Sequence, residues 1–104
     1  MYPAREWERR EDLMAEQAQS HPALVKVMRF QVAGAAEVVP DGHGRVLLPA
    51  ALREYAQLDA SSDVSVIGQI GHFELWNSSR WQQAQQAIQD DLADWSSQLQ
   101  ALGL

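Results

Sequence analysis

The sequence predicts an α+β fold: a small β-rich centre flanked by helices. Three observations predict it. Apolar residues recur at helical spacing over residues 1–33, at a spacing of two in four short runs within 34–77, and at a strict 3.5-residue period over 78–104. Those ranges are the expected organisation: an N-terminal helical segment, a β-rich repeat, and a C-terminal heptad helix.

Residues 4–19 (AREWERREDLMAEQAQ) place Ala4, Trp7, Met14 and Ala18 on one narrow stripe, with Glu6 and Arg10 correctly spaced for an i,i+4 pair. Ser20 is the expected N-cap of a second helix, with Pro22 in its first turn and Leu24, Val27 and Met28 on its apolar face; the helix should stop before Gly34. Glu37-Val38-Val39 and Arg45-Val46-Leu47-Leu48 are β-prone runs around Pro40-Asp41-Gly42-His43-Gly44, which reads as a hairpin corner. An aspartate carboxylate there can accept backbone N–H groups two residues on, and Gly42 and Gly44 tolerate positive φ. Pro49 opens a short helix ending near Leu58. Residues 63–67 (DVSVI) and 72–76 (HFELW) alternate around Gly68-Gln69-Ile70-Gly71 and form a second hairpin, so the centre reads ββαββ. Asn77 or Ser78 caps the last helix. Its seam is Trp81, Gln85, Ile88, Leu92, Trp95, Leu99 and Leu102, in which Gln85 is the polar seat. Such a helix packs along another, either the first helix of its own chain or a neighbour's.

Composition narrows the function. A chain of 104 residues makes one thin core, and four short strands leave two edges that a second copy could cover. The absence of cysteine removes disulfides, thiolate zinc sites and thiol nucleophiles, and fits a reducing compartment. The charged first fifteen residues and short apolar runs predict neither a signal peptide nor a spanning helix, hence a cytoplasmic protein without a membrane partner. The net charge of −6 opposes polyanion binding except in one stretch. Between Lys26 and Ala56, Lys26, Arg29, Arg45 and Arg53 outnumber Glu37, Asp41 and Glu54. A polyanion, if bound, binds there.

The segment Asp41-Gly42-His43-Gly44-Arg45 through Leu52-Arg53-Glu54-Tyr55-Ala56, followed by Val66-Ile67-Gly68-Gln69 and Phe73-Glu74-Leu75-Trp76 to Arg80-Trp81, resembles the second repeat of the MraZ family. The opening Tyr2-Pro3-Ala4-Arg5-Glu6-Trp7-Glu8 looks like the end of that family's first repeat, most of which has no counterpart here. The resemblance implies an AbrB-like swapped-hairpin β-barrel, of which this chain holds half, with D-x-x-x-R loops presented to double-stranded DNA. It also implies a homo-oligomer, a dimer or a ring, that represses transcription from closely repeated promoter elements in the nucleoid.

Arg45 is the leading candidate for DNA contact, because a guanidinium grips phosphate or reads guanine at two points; the competing reading ties it to Asp41 across the turn. Asp41 repels phosphate, so its expected role is to set the turn and orient Arg45. His43 at the tip either bonds DNA or is solvated. Lys26, Arg29 and Arg53 either add phosphate contacts or are ordinary helix surface. His21, His43 and His72 match no metal-ligand spacing, and no base, nucleophile or phosphate loop accompanies Asp90, Asp91 and Asp94. No metal, cofactor, small-molecule substrate or catalysis is therefore expected. The tryptophans read as core. The alternative function is an oligomerisation module that does not bind DNA.

Overall fold

Pro3, extended at φ −55° and ψ 144°, starts helix α1 (Ala4–Ala18) with its carbonyl accepting the Trp7 N–H at 3.0 Å. The structure is a computed structural model that describes residues 1–104 apart from the side chain of Ala93. Helix α2 (Leu24–Ala33) folds back on α1 and ends at Gly34, as its period predicted. Ser20 does not cap it. The Leu24 N–H donates to the His21 carbonyl at 2.9 Å and the Val25 N–H to the Pro22 carbonyl at 3.2 Å, so a single tight turn already satisfies the first amides of α2. Ser20 instead closes α1, its N–H donating to the Gln17 carbonyl. Arg10 is also redirected: its Nη2 donates to Gln31 Oε1 at 3.0 Å across the helix pair and its guanidinium lies 5.6 Å from the Tyr2 ring centre, in place of the expected pair with Glu6.

The first predicted hairpin is the main correction. The corner at residues 41–45 forms, but residues 35–40 and 45–49 are extended chain with no strand ladder, so the described sheet has two strands rather than four. An isolated short ribbon is marginal in water, and among the described residues no other strand pairs with either run. Val39 and Leu47 alternate outward and are 76% and 84% exposed, while Val38, Val46 and Leu48 turn inward.

Helix α3 (Ala50–Ala56) follows Pro49 as expected. It closes on Gln57 in the left-handed region (φ 56°), with the Gln57 N–H donating to Glu54 and the Leu58 N–H to Arg53 at 2.8 Å. This pair of bonds is the Schellman closure that usually recruits glycine. Strands β1 (Val64–Gly68) and β2 (Phe73–Asn77) then pair antiparallel, Val66 opposite Leu75 and Gly68 opposite Phe73, around a loop that Gly71 turns at φ 82°. Period-two geometry puts Val64, Val66, Phe73 and Leu75 on one face and Ser65, Ile67, Glu74 and Trp76 on the other. The second face meets helix α4 (Ser78–Ala101), through Ser65 Oγ and Ser78 Oγ at 2.7 Å and tilted Trp76 and Trp81 rings 5.3 Å apart. The valine-bearing face is open, with Val66 64% exposed. At the outer edge of β2 the Met1 ammonium donates to the Phe73 carbonyl, the Phe73 N–H donates back to Met1 at 3.0 Å, and Tyr2 stacks on His72.

Asn77 caps α4 as predicted, its Oδ1 accepting from the N–H groups of Ser79 and Arg80. Beyond its first turns α4 leaves the rest of the chain, touching β1 and β2 but neither α1 nor α2. Its own-chain partner is thereby excluded among the described residues, and Ile88, Leu92 and Trp95 are each more than half exposed.

Burial is correspondingly slight. Met14, at 8% exposure, is the buried apolar residue among those described, although 46% of the sequence is hydrophobic. The chain exposes 8748 Å², where a compact monomer of this mass would expose about 5,800 Å². Its radius of gyration is 16.9 Å, against about 13 Å for a compact domain of this length. About 2,900 Å² of surface is thus surplus to a single folded chain, several times the roughly 800 Å² each partner gives to a standard interface.

Candidate nucleic-acid interface

The corner at 41–45 is a closed hydrogen-bonded unit built by one aspartate. The Asp41 N–H donates to the Arg45 carbonyl at 2.8 Å and the Gly44 N–H to the Asp41 carbonyl at 3.0 Å, which fixes the reversal; Gly44 supplies the positive φ of 77°. The Asp41 side chain then fastens the inside of the loop. Its Oδ1 accepts the His43 N–H at 2.8 Å and the Arg45 N–H at 2.9 Å, while Oδ2 takes the Arg45 Nε at 3.0 Å. The backbone N–H groups of Arg45 and then His43 hold the Asp41 carboxyl below the usual aspartate range, with the Arg45 guanidinium adding to them. Gly42, at the tip, has open space around it and no strained φ.

The two readings of Arg45 prove compatible. The guanidinium is tied to Asp41, yet through Nε, and the Arg45 side chain remains 75% exposed. The tie fixes the root of a planar fork and leaves its Nη end facing outward. Such a fork grips a phosphate or the O6/N7 edge of guanine bidentately. A side chain held in place beforehand loses less rotamer entropy on contact than a free one.

The other cations are spread over helices. Lys26 and Arg29 lie on α2 and Arg53 on α3; all are exposed, and among the described residues none of the three forms an ion pair. Arg29 also stands on the wall of a groove between α1 and α2. The structure therefore joins Asp41, Gly42, His43, Gly44 and Arg45 in one unit, with Lys26, Arg29 and Arg53 outside it.

A feature missed in the sequence is the second Asp-centred loop at 59–62. Asp59 Oδ1 accepts from the Ser61 N–H at 2.9 Å and from the hydroxyls of Ser61 and Ser62, bonds that lower its pKa, with the Ser61 hydroxyl foremost. The signal was Asp-x-Ser-Ser, an Asx-turn pattern. It carries no cation.

A cleft of about 710 Å³ opens where the N-terminal residues, α1 and the two extended segments converge; Trp7, Val38 and Leu48 line it together with Glu8, Glu11 and Glu37. Those carboxylates make it unsuited to phosphate. Among the described residues no cluster of three His, Cys, Asp or Glu could hold a metal ion, and no helix is long and apolar enough to cross a membrane.

Comparison with known proteins identifies the family. Residues 32–101 match the family described as "MraZ protein, putative antitoxin-like". A protein of Shewanella amazonensis named "Transcriptional regulator MraZ" is 38% identical over 90 residues, covering 86% of this chain and 58% of the relative. One of the same name from Alkalilimnicola ehrlichii is 35% identical over 99 residues, 90% of this chain and 65% of its own length. Another, from Thioalkalivibrio sulfidiphilus, is 36% identical and aligns with 100% of this chain and 70% of its own length. The chain thus spans less than two thirds of the first two relatives. No solved structure matches. The match over residues 32–101, which contains the whole Asp41–Arg45 unit, and relatives aligned along most of its length establish that the chain belongs to the MraZ family.

Proposed function

We propose that this chain is a DNA-binding transcriptional regulator of the MraZ type, a repressor that binds closely repeated promoter elements as a homo-oligomer in the nucleoid. The observation that carries the reading is the Asp41 unit, which holds Arg45 by Nε and turns its remaining nitrogens outward. Arg45 contacts phosphate or guanine, His43 at the tip adds a hydrogen bond, and Lys26 and Arg53 add phosphate contacts. Arg29, on the same helix as Lys26, adds a further phosphate contact. Asp41, Gly42 and Gly44 shape the loop.

Assembly belongs to the same reading. The outward-alternating residues Val39 and Leu47, the uncovered Val64/Val66 face and the surplus surface all support a swapped-hairpin barrel in which a second copy supplies the missing ladder. With four cations or so per chain, one unit binds weakly. Several units on adjacent elements bind usefully by multivalency.

Mobility shift of duplex DNA carrying closely spaced repeats, at two salt concentrations, tests this. Retardation that weakens with salt and is lost in Arg45→Ala is expected. Retardation indifferent to Arg45→Ala, or none with the wild type, overturns DNA contact through this corner; a monomeric mass by light scattering overturns the assembly.

A further inference from the structure

We propose that Asp41-Gly42 is a site of spontaneous covalent modification: the dipeptide cyclises to a succinimide and reopens as isoaspartate, and the contact of Arg45 with Asp41 restrains the reaction. The inference goes beyond DNA binding and stands without it, because it concerns the chemistry of the corner itself.

Two observations single out this bond. The N–H groups of Asp41, His43, Gly44 and Arg45 all donate within the corner, to carbonyls or to the Asp41 carboxylate, whereas the Gly42 N–H donates to no described group. The Gly42 nitrogen is the nucleophile of cyclisation. Glycine also has no Cβ to screen that nitrogen, and the space where one would stand is empty to 4 Å. Every other aspartate in the chain precedes a larger residue. The loop at Asp59 is bonded in a similar way, with the Ser61 N–H on the carboxylate, but Ala60 follows and its methyl crowds the approach. At Asn77-Ser78, a junction open to the same chemistry through its side-chain amide, the Ser78 N–H is committed to the Asp63 carbonyl at 3.0 Å and Asn77 Oδ1 to the α4 cap.

The reaction needs no reagent but water. The Gly42 nitrogen attacks Cγ of Asp41 in its neutral acid form; the N–Cγ bond forms, the Cγ–OH bond breaks, and the hydroxyl leaves as water with the proton the amide gives up. Water then opens the imide. Addition at the Asp41 main-chain carbonyl leaves Gly42 joined through Cγ, which is isoaspartate, with no net change in mass. The restraint lies in the same atoms. Oδ1 is occupied by the His43 and Arg45 N–H groups and Oδ2 by Arg45 Nε at 3.0 Å, so bringing Cγ to bonding distance of the Gly42 nitrogen breaks these contacts. The Arg45 and His43 N–H groups also keep the carboxyl ionised, and a carboxylate is a poor electrophile. Isoaspartate adds a methylene to the main chain and turns the former carbonyl into the free carboxylate. The acceptors of His43, Gly44 and Arg45 then fall out of register, and the Arg45 fork loses its root.

To test this, the whole chain is aged at neutral pH and physiological temperature. Isoaspartate is quantified by the methyl groups an isoaspartyl methyltransferase transfers from S-adenosylmethionine, and located by fragmentation mass spectrometry. Product at position 41 is expected to accumulate slowly in the folded wild type, severalfold faster in Arg45→Ala, and at least as fast as in Arg45→Ala when the wild type is unfolded in urea. Gly42→Ala, whose Cβ has room in the corner, lowers it to the level found at Asp59. In the converted fraction the amide signals of His43 and Arg45 move and that of Ser61 stays. No product at position 41 in either folded chain, or as much at Asp59 as at Asp41, overturns the site. Equal rates in folded wild type and Arg45→Ala, or in folded and unfolded wild type, overturn the restraint; circular dichroism verifies that the helices of each folded variant are intact. None of these readings involves DNA, so failure of this site and failure of DNA contact are seen separately.

Discussion

Two stretches of this chain have the same design on paper, a β-prone run, a Gly-containing corner and another β-prone run, yet only one becomes a sheet. At 64–77 the strands pair residue by residue, because α4 covers the Ser65/Trp76 face and its Asn77 cap grows directly from the end of β2. At 37–48 the corner closes through Asp41 while its arms stay unpaired. The difference teaches that a turn is a local object and a strand is not. Three acceptor bonds from one carboxylate and two backbone bonds suffice to fix five residues. A ladder needs a neighbour on its edge and a cover on its face. On the proposed function, the unpaired arms are the part of the chain left for another copy, and the closed corner between them is the part left for DNA.

The largest expected effect would break this comparison at the corner. Arg45→Ala should weaken binding to repeat-bearing duplex DNA by about ten- to a hundredfold per contact, the range of a bidentate arginine, with secondary structure unchanged by circular dichroism. Asp41→Ala is more discriminating. General electrostatics expects removal of an acid to tighten DNA binding, whereas orientation of Arg45 by Asp41 expects it to weaken about fivefold or more, since the fork loses its root. The sign, read from the same titration, decides between them.

A third test addresses the arms. Leu47→Asp introduces a charge at a position that is solvent-exposed in the single chain. It should leave the isolated chain's helix content alone and lower the oligomer mass by light scattering; unchanged mass would mean that the arms are not part of an interface.

Acid titration sharpens the contrast between the two regions. The folded pKa of Asp41 is depressed, chiefly by the Arg45 and His43 N–H groups. The corner's carboxylate bonds are therefore fully present above the ordinary aspartate range and are lost as pH falls through the lower folded value. Amide shifts of His43 and Arg45 should follow that transition, while those of Ser65 and Ile67, which face their hydrogen-bonding partners Trp76 and Glu74 on β2, should not.

The smallest effects concern helix ends. Asn77→Ala removes the α4 cap and should cost about 1 kcal/mol in denaturant unfolding. Gln57→Gly relieves a left-handed residue and should gain up to about 1 kcal/mol, measured the same way.

Much of this molecule was legible in its sequence. Period and punctuation located α1, the end of α2, α3, the second hairpin and the Asn77 cap, and the turn chemistry of Asp-Gly-His-Gly-Arg located the corner. What failed did so for definite reasons. Ser20 was outcompeted by backbone bonds from the His21–Val25 turn, and Glu6 lost Arg10 to Gln31 and Tyr2, partners distant in sequence. Gln57 carries no composition signal for positive φ, so its Schellman closure could not be anticipated.

The sequence by itself determined the local objects, because helix periods, caps and a carboxylate-closed turn depend on residues within about five positions of one another. Only the tertiary structure decided which of those objects find partners inside the chain. It seated α4 on one face of β1 and β2, left Val64 and Val66 on the other face and Val39 and Leu47 on the arms exposed, and turned the heptad seam away from α1 and α2. Burial is a sum over surfaces brought from far apart along the chain, and no local pattern records that sum.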